Sequence, residues 1–304
     1  MTALAAGWQH QFVETNGIRL HCVLQGEGDL VVLLHGFPEF WYSWRHQIPV
    51  LAKHFKVVAP DLRGYNDSDK PESGYDMQTL MDDIRGLITA LGYKRAHIVA
   101  HDWGGSIAWH LAQQYPKVVD RLVVLNCPHP QRMVQELVTN LDQLRRSWYF
   151  LGFQVPWLPE WLIQRNLNEF VRRLFQEQAI RKGAFSSRDI EIYQAALAKP
   201  GVLPAAINYY RAMFAPAQLP KLFTQVATPI TAPTLLLWGE EDFALSKKLT
   251  EDTERFISAP FLLKYISQCG HWIQQEAPQT VNRELLTFLR ADQEKSNGKL
   301  GQGR

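Results

Sequence analysis

Short runs of consecutive apolar residues recur along the chain: Leu30 to Leu34, Lys56 to Ala59, His97 to Ala100, Leu122 to Asn126, Thr234 to Trp238 and Leu262 to Ser267. They are rich in leucine and β-branched residues and too short for buried helices, so they predict strands of a parallel sheet covered on both faces. Stretches with apolar residues at helical spacing separate them: Ser43 to Ala52, Met77 to Leu91, Ser106 to Tyr115, Lys247 to Phe256 and Pro278 to Arg290. This alternation predicts an α/β domain. Ahead of it, Trp8 to Glu14 and Ile18 to Gln25 flank Thr15-Asn16-Gly17, and Asn-Gly between strand-like runs predicts a tight antiparallel hairpin.

The alternation stops between Pro128 and Pro233, where arginine, glutamine, leucine and aromatic residues read as helices with no strand until Thr234. That pattern predicts a helical cap inserted into a sheet domain. Open α/β sheets place their ligands at the carboxyl ends of the strands, so the cap is expected to roof the site. The expected division is a core of residues 1–129 and 227–291 with a cap of residues 130–226. The polar segment 292–304, DQEKSNGKLGQGR, is expected to fray.

Composition narrows the function classes. A chain of 304 residues with 46% apolar residues can bury a large core, and a formal charge of +2 with interspersed signs leaves no basic tract for nucleic acid. Cys22, Cys127 and Cys269 are odd in number and far apart, which points neither to a disulfide framework nor to zinc. The opening MTALAAGWQHQ lacks a basic leader, and no run approaches the ~20 apolar residues of a bilayer span. The most apolar candidate, Trp148 to Leu162, is broken by Pro156 and Pro159 and reads as a buried or pocket-lining segment. A cytoplasmic protein is the expectation, and nothing in the sequence indicates an oligomer.

The candidate chemistry centres on VAHDWGG, Val99 to Gly105. An apolar strand precedes Asp102, a helical pattern follows it, and Ala100, Gly104 and Gly105 supply the small residues of a sharp turn. This is the nucleophile-elbow pattern of α/β-hydrolases, with Asp where Ser is commoner. Asp is also a favoured helix N-cap, so capping is the plainer reading of this residue taken alone. As a nucleophile, a carboxylate that opens an epoxide or displaces a halide becomes an ester, which water can hydrolyse; a serine would be left as an inert ether. Partners follow in the order expected of such a site. The turn Gly239-Glu240-Glu241-Asp242 after a strand offers an acid, and His271 follows the last strand in QCGHWIQQEAP. His35-Gly36-Phe37-Pro38 follows the first parallel strand, and the backbone N–H groups of Phe37 and Trp103 are the expected oxyanion hole.

HGFPEFWYSWR, DLRGYNDSDKP, VAHDWGG, WGEEDF and GHWIQQEAP together make the chain resemble an α/β-hydrolase-fold epoxide hydrolase of the soluble type, related to the haloalkane dehalogenases, from about Glu14 to Arg290. The resemblance implies a mostly parallel eight-stranded sheet and selects Asp242, which precedes Phe243, over Glu240 and Glu241. It also implies two cap tyrosines that bind and protonate the epoxide oxygen; the matching segments contain Tyr149 and Tyr210, with Tyr209 as the competitor of Tyr210. His35, Pro38, Trp148 and Phe153 are expected to line the substrate. The cap aromatics point to an apolar epoxide as partner, with water as co-substrate and neither metal nor organic cofactor. Asn66 stands where relatives carry glycine, and asparagine tolerates the left-handed conformation that such a turn requires. A dehalogenase is the rival reading, although Phe37 and Trp103 replace the Asn and Arg common in haloalkane and fluoroacetate dehalogenases. A hydrolase-fold receptor is the non-enzymatic one.

Overall fold

The structure, a computed structural model, describes residues 7–216, 218 and 228–291. Eight strands form one sheet: β1 (Gln9–Thr15), β2 (Ile18–Gln25), β3 (Leu30–Leu34), β4 (Lys56–Pro60), β5 (Ala96–His101), β6 (Val119–Leu125), β7 (Thr234–Gly239) and β8 (Phe261–Ile266). Their order is β1-β2-β4-β3-β5-β6-β7-β8. β2 pairs antiparallel with β1 and β4, and the remaining pairs are parallel. The hairpin turns at Asn16 and Gly17 with φ of 46° and 76°, the doubly left-handed geometry that favours Asn-Gly. β3, β5 and β7 are buried at every position, which is why they read as continuous rather than alternating apolar runs. Register aligns their carboxyl ends: Leu34 faces Ala100, His101 faces Leu125, and Leu125 faces Leu237. The loops leaving β3, β5, β6, β7 and β8 therefore open side by side.

Helices α1 (Ile48–Leu51), α2 (Met77–Ala90) and α3 (Trp103–Gln114) connect the early strands, and Pro278–Leu289 is the last helix among the described residues. Asp76 caps α2 through its side chain, which accepts from the Thr79 N–H at 3.1 Å. Two expected helices are not continuous. Ser43 to Ala52 resolves into a 3₁₀ turn, Trp41–Trp44, and the short α1, because Pro49 inside one longer helix would clash with the preceding turn. Lys247 to Phe256 forms two 3₁₀ turns instead of a helix, with Glu251 extended and Asp252 at φ +58° between them.

Between β6 and β7 the described residues form α4 (Pro130–Thr139), α5 (Leu141–Arg146), α6 (Trp148–Gly152), α7 (Leu158–Arg165), α8 (Leu167–Arg172), α9 (Ser187–Leu197) and α10 (Val202–Met213). Buried contacts seat these helices on the sheet domain. The Tyr42 hydroxyl donates to Asp189 at 2.9 Å, and the Tyr209 hydroxyl donates to the Arg63 carbonyl at 2.7 Å. The expected boundary at 226–227 and the expected tail at 292–304 lie outside the described residues. Trp148 to Leu162 departs from the sequence expectation. Apolar residues occupy both sides of its helices, so Phe150, Phe153 and Ile163 bury while Trp148, Leu151, Trp157 and Trp161 stand in solvent. Among the described residues no helix is long and apolar enough to cross a membrane.

Candidate active site

β5 ends at His101, and Asp102 follows with φ 49° and ψ −121°, a conformation that costs free energy for any residue with a Cβ and persists only where neighbours enforce it. α3 starts directly at Trp103, earlier than the sequence pattern indicated. Gly104 makes this possible: a Cβ there would lie 2.4 Å from the Leu34 carbonyl oxygen. Gly36 is equally constrained, since its Cβ would fall 2.3 Å from Asp102 Oδ1. With no side chain at Gly36, the loop after β3 closes on the carboxylate, and the Phe37 N–H donates to Asp102 Oδ1 at 2.8 Å.

His271 approaches the other carboxylate oxygen, its Nε2 lying 3.8 Å from Asp102 Oδ2, while its Nδ1 is 2.7 Å from Asp242 Oδ2. Asp242 is fixed from every side. Asn126 Nδ2 donates to the same oxygen at 2.7 Å, and the Ala244 and Leu245 N–H groups donate to Oδ1 at 2.8 and 2.9 Å. Glu240 instead pairs with Lys247 at 2.5 Å, and Glu241 is exposed. Burial works against the charged form of Asp242, but His271 and these donors hold its carboxyl below the usual range. Burial likewise opposes a charged His271; the Asp242 carboxylate, its hydrogen bond, Asp102 and Glu39 outweigh it and push the ring up to about 9.

Behind His271 lies a buried pair that the sequence reading did not single out. His101 Nδ1 meets Glu39 Oε2 at 2.9 Å, and His101 Nε2 meets the His271 carbonyl oxygen at 2.9 Å. Both side chains are fully buried, and Gln274 and Gln275 donate to the Glu39 carboxylate. The available signal was charge inside apolar runs, at Glu39 after HGFP and at His101 before Asp102. Asn126 was missed in the same way, as a polar residue closing a buried strand; its Oδ1 also accepts from the Gly239 N–H at 2.9 Å.

His35 does not line the site as expected. Its Nδ1 donates to the Gly36 carbonyl at 2.9 Å and its Nε2 accepts from the Leu62 N–H at 3.0 Å, so a fully buried ring ties two loops together. Pro38 is buried and joined to Phe37 by a cis peptide bond. Asn66 has φ 41°, the left-handed turn expected of it.

The helices above the sheet ends bring an aromatic group over Asp102. The Tyr210 ring packs 5.0 Å from Trp103, 5.5 Å from Phe37, 4.9 Å from Phe153 and 5.8 Å from Tyr149, centroid to centroid. Burial pushes both tyrosine hydroxyls well above their ordinary range, and the charge of Asp102 adds to this in each case. The Trp103 and Tyr210 rings meet edge to face, their planes at 89°. Tyr209, one residue away, uses its hydroxyl on the Arg63 carbonyl. Trp148 stands apart from the group: one step along α6 from Tyr149 turns it about 100° to the outside, where it is 70% exposed.

One group of metal-ligand types occurs among the described residues, His21, Asp61 and Asp67, with ligand atoms within 4.8 Å of one another. Asp61 already accepts from the Trp41 N–H, His21 and Asn66, so its carboxylate organises the loop after β4.

Residues 29–278 match the α/β hydrolase fold family. The chain is 38% identical to human epoxide hydrolase 4 over 293 residues, covering 94% of this chain and 79% of that protein. It is 41% identical over 291 residues to the AB hydrolase superfamily protein YfhM of Bacillus subtilis, covering 93% and 99% respectively. The crystal structure of Bacillus megaterium epoxide hydrolase with an inhibitor superposes with a TM-score of 0.85 at 33% identity, covering 92% of this chain and 100% of that one. The chain belongs to the α/β-hydrolase family and, within it, to the group of these epoxide hydrolases.

Proposed function

We propose that this chain hydrolyses an apolar epoxide to a vicinal diol through an ester on Asp102. The observation that carries this reading is the division of labour between the two Asp102 oxygens: Oδ1 accepts from the Phe37 N–H at 2.8 Å, while Oδ2 lies on the His271 side at 3.8 Å. In the proposed first step Oδ2 attacks an epoxide carbon and the carbon–oxygen bond of the ring breaks. Tyr149 and Tyr210 bind the departing oxygen, and one of them donates the proton that makes it a hydroxyl. Oδ1 becomes the ester carbonyl oxygen, to which the Phe37 N–H donates and for which the Trp103 N–H is the proposed second oxyanion-hole donor.

Ester formation removes the negative charge of Asp102, one of the influences that raise His271. The ring thereby gives up its proton more readily, so that it is in the neutral form at the moment a proton acceptor is needed. His271 Nε2 then takes a proton from water as the water oxygen adds to the ester carbonyl, and Asp242 stabilises the imidazolium. Collapse of the tetrahedral intermediate breaks the bond between the Asp102 carboxyl carbon and the ester oxygen; that oxygen leaves in the diol with the proton from the His271 imidazolium, the water oxygen stays in the new carboxyl, and the proton that this carboxyl sheds restores the tyrosine hydroxyl.

In this reading residues 130–226 act as the cap and residues 1–129 with 227–291 as the core, and Phe153 and Pro38 border the substrate. His35 and Trp148 are left out. The dehalogenase alternative needs only donors for a departing halide; here two buried tyrosines close to the Asp102 charge are suited to protonate a departing alkoxide, which favours epoxide opening. The test is a panel of aryl and alkyl epoxides beside alkyl halides and fluoroacetate. Diol formation with no halide release is expected. Halide release with every epoxide untouched overturns the proposal.

A further inference from the structure

The side of the inserted helices that faces away from the sheet is apolar and uncovered. Leu144, Trp148, Leu151, Val155, Trp157 and Trp161 are all exposed there, Trp148 by 70% and Trp157 by 71%. Leu144 lies in α5, Trp148 and Leu151 in α6, Val155 in the link that follows, Trp157 at the N-cap of α7 and Trp161 within it, so the exposed residues span three consecutive helices. Single exposed apolar residues are ordinary, whereas a concentration of them marks a surface that meets another phase or partner.

This surface is held in shape. Arg211 of α10 donates to the Phe153 and Val155 carbonyls, each at 3.0 Å, and pairs with Glu160 of α7. The link between α6 and α7 is thus anchored from the inner side, and Trp157 is kept at φ +56°. Asp142 is paired with Arg146 at 2.8 Å, so both acids near the indoles are neutralised. Arg145 and Arg165 are exposed and have no carboxylate partner among the described residues, and the Arg165 guanidinium lies 5.3 Å from the Trp161 ring centroid.

We propose that this face docks on an anionic lipid surface. Indoles favour the boundary between acyl chains and headgroups, and uncompensated arginines are attracted by anionic headgroups. A symmetric contact with a second copy would instead present the same cationic patch to itself. Docking in this orientation sets α6 against the lipid, with Trp148 and Leu151 directed outward and Tyr149 inward, independently of the chemistry performed beneath.

The test is co-sedimentation of the full chain with sucrose-loaded vesicles of phosphatidylcholine alone and of phosphatidylcholine with phosphatidylserine. Binding to the anionic vesicles is expected, weakened by salt. Combining Trp157→Asn, chosen because asparagine accepts positive φ, with Trp161→Ser should lower the partition coefficient at least tenfold while leaving circular dichroism and turnover of a water-soluble epoxide unchanged. Arg145→Gln with Arg165→Gln should bring anionic binding down to the level seen on neutral vesicles. Wild type left in the supernatant with both vesicle types overturns the proposal, as does undiminished binding of the Trp variant. A concentration-dependent dimer that the Trp variant dissolves, without vesicle binding, assigns the face to a second copy and also overturns it. Sedimentation reads binding alone, so an inactive protein would leave this test intact.

Discussion

The loops at the sheet ends and the helices above them obey different constraints. At the sheet ends each buried carboxylate has several specific partners: Asp242 accepts from His271, Asn126 and two backbone N–H groups, and Glu39 is held by His101, Gln274 and Gln275. Changing one such residue orphans the others, so residue type is tightly coupled to position. The part of the inserted helices that carries Tyr149 and Tyr210 rests instead on aromatic packing with Phe150 and Phe153, which many apolar residues can supply. One region is specified by hydrogen-bond identity, the other by shape. Their responses to substitution should differ accordingly.

The largest expected effect lies at the sheet ends. Asp102→Ala should abolish turnover while preserving the fold by circular dichroism, since alanine keeps the Cβ and therefore the backbone strain at φ 49° while losing only the carboxylate. In wild type, a single turnover in water labelled with heavy oxygen should place label in the Asp102 carboxylate before the diol. Label in the first diol alone would mean that water attacks the epoxide directly. His271→Gln should still form the ester and fail to hydrolyse it, so intact-mass measurement after adding epoxide should show one adduct on the peptide bearing Asp102. A protein that stays unmodified under saturating epoxide would contradict this separation of steps.

The aromatic region should respond in steps. Tyr149→Phe and Tyr210→Phe are each expected to slow ester formation by roughly 10²- to 10⁴-fold, the usual loss with a general acid, and less where the partner hydroxyl compensates. The double variant should be nearly inactive, with hydrolysis of preformed ester almost unchanged. Stopped-flow measurement of the two steps separates these outcomes; epoxide opening near the wild-type rate in the double variant would remove the tyrosines from the mechanism.

The same contrast explains what the sequence could convey. Asp102, His271 and the Phe37 loop were legible because an elbow needs small residues at Gly104 and Gly36, and the chain order supplied the rest. Among three acids, spacing alone does not choose; the resemblance selects Asp242 before Phe243, and four donors set it apart in space. Glu39 and His101 went unread, since their function as a buried pair depends on the meeting of β5 with the loop after β3. In the inserted helices, spacing revealed helices but not which apolar face is buried. Trp148 to Leu162 therefore read as interior, and Trp148 as a substrate contact, although α6 turns it outward. Pro49 is visible within the predicted helix Ser43 to Ala52, and it divides that stretch into a 3₁₀ turn and a short helix.

A smaller effect follows from charge. The ring of His271 is raised from 6.5 to about 9, so its pairing with Asp242 and Asp102 stabilises the fold fully below pH 6.5. That contribution fades as pH rises from 6.5 through about 9, where the folded ring gives up its proton. Thermal melts of wild type should decline over this interval more steeply than those of His271→Gln, which lacks the titrating ring. Parallel curves for the two proteins would show that the pairing carries no net stability.

The smallest expected effect separates two adjacent tyrosines of α10. Tyr209 is fully buried and donates to the Arg63 carbonyl at 2.7 Å, whereas Tyr210 faces Trp103 and Tyr149 over Asp102. Tyr209→Phe keeps the ring packing and leaves one buried carbonyl short of a donor, which costs about 1–3 kcal/mol. It should therefore lower the unfolding midpoint in urea while changing neither chemical step by more than a few-fold. Tyr210→Phe should do the reverse, slowing ester formation with little change in the midpoint. If Tyr209→Phe proved as slow as Tyr210→Phe at ester formation, with its stability intact, the inward-facing hydroxyl would belong to Tyr209 and the division between anchoring and reacting tyrosines would have to be exchanged.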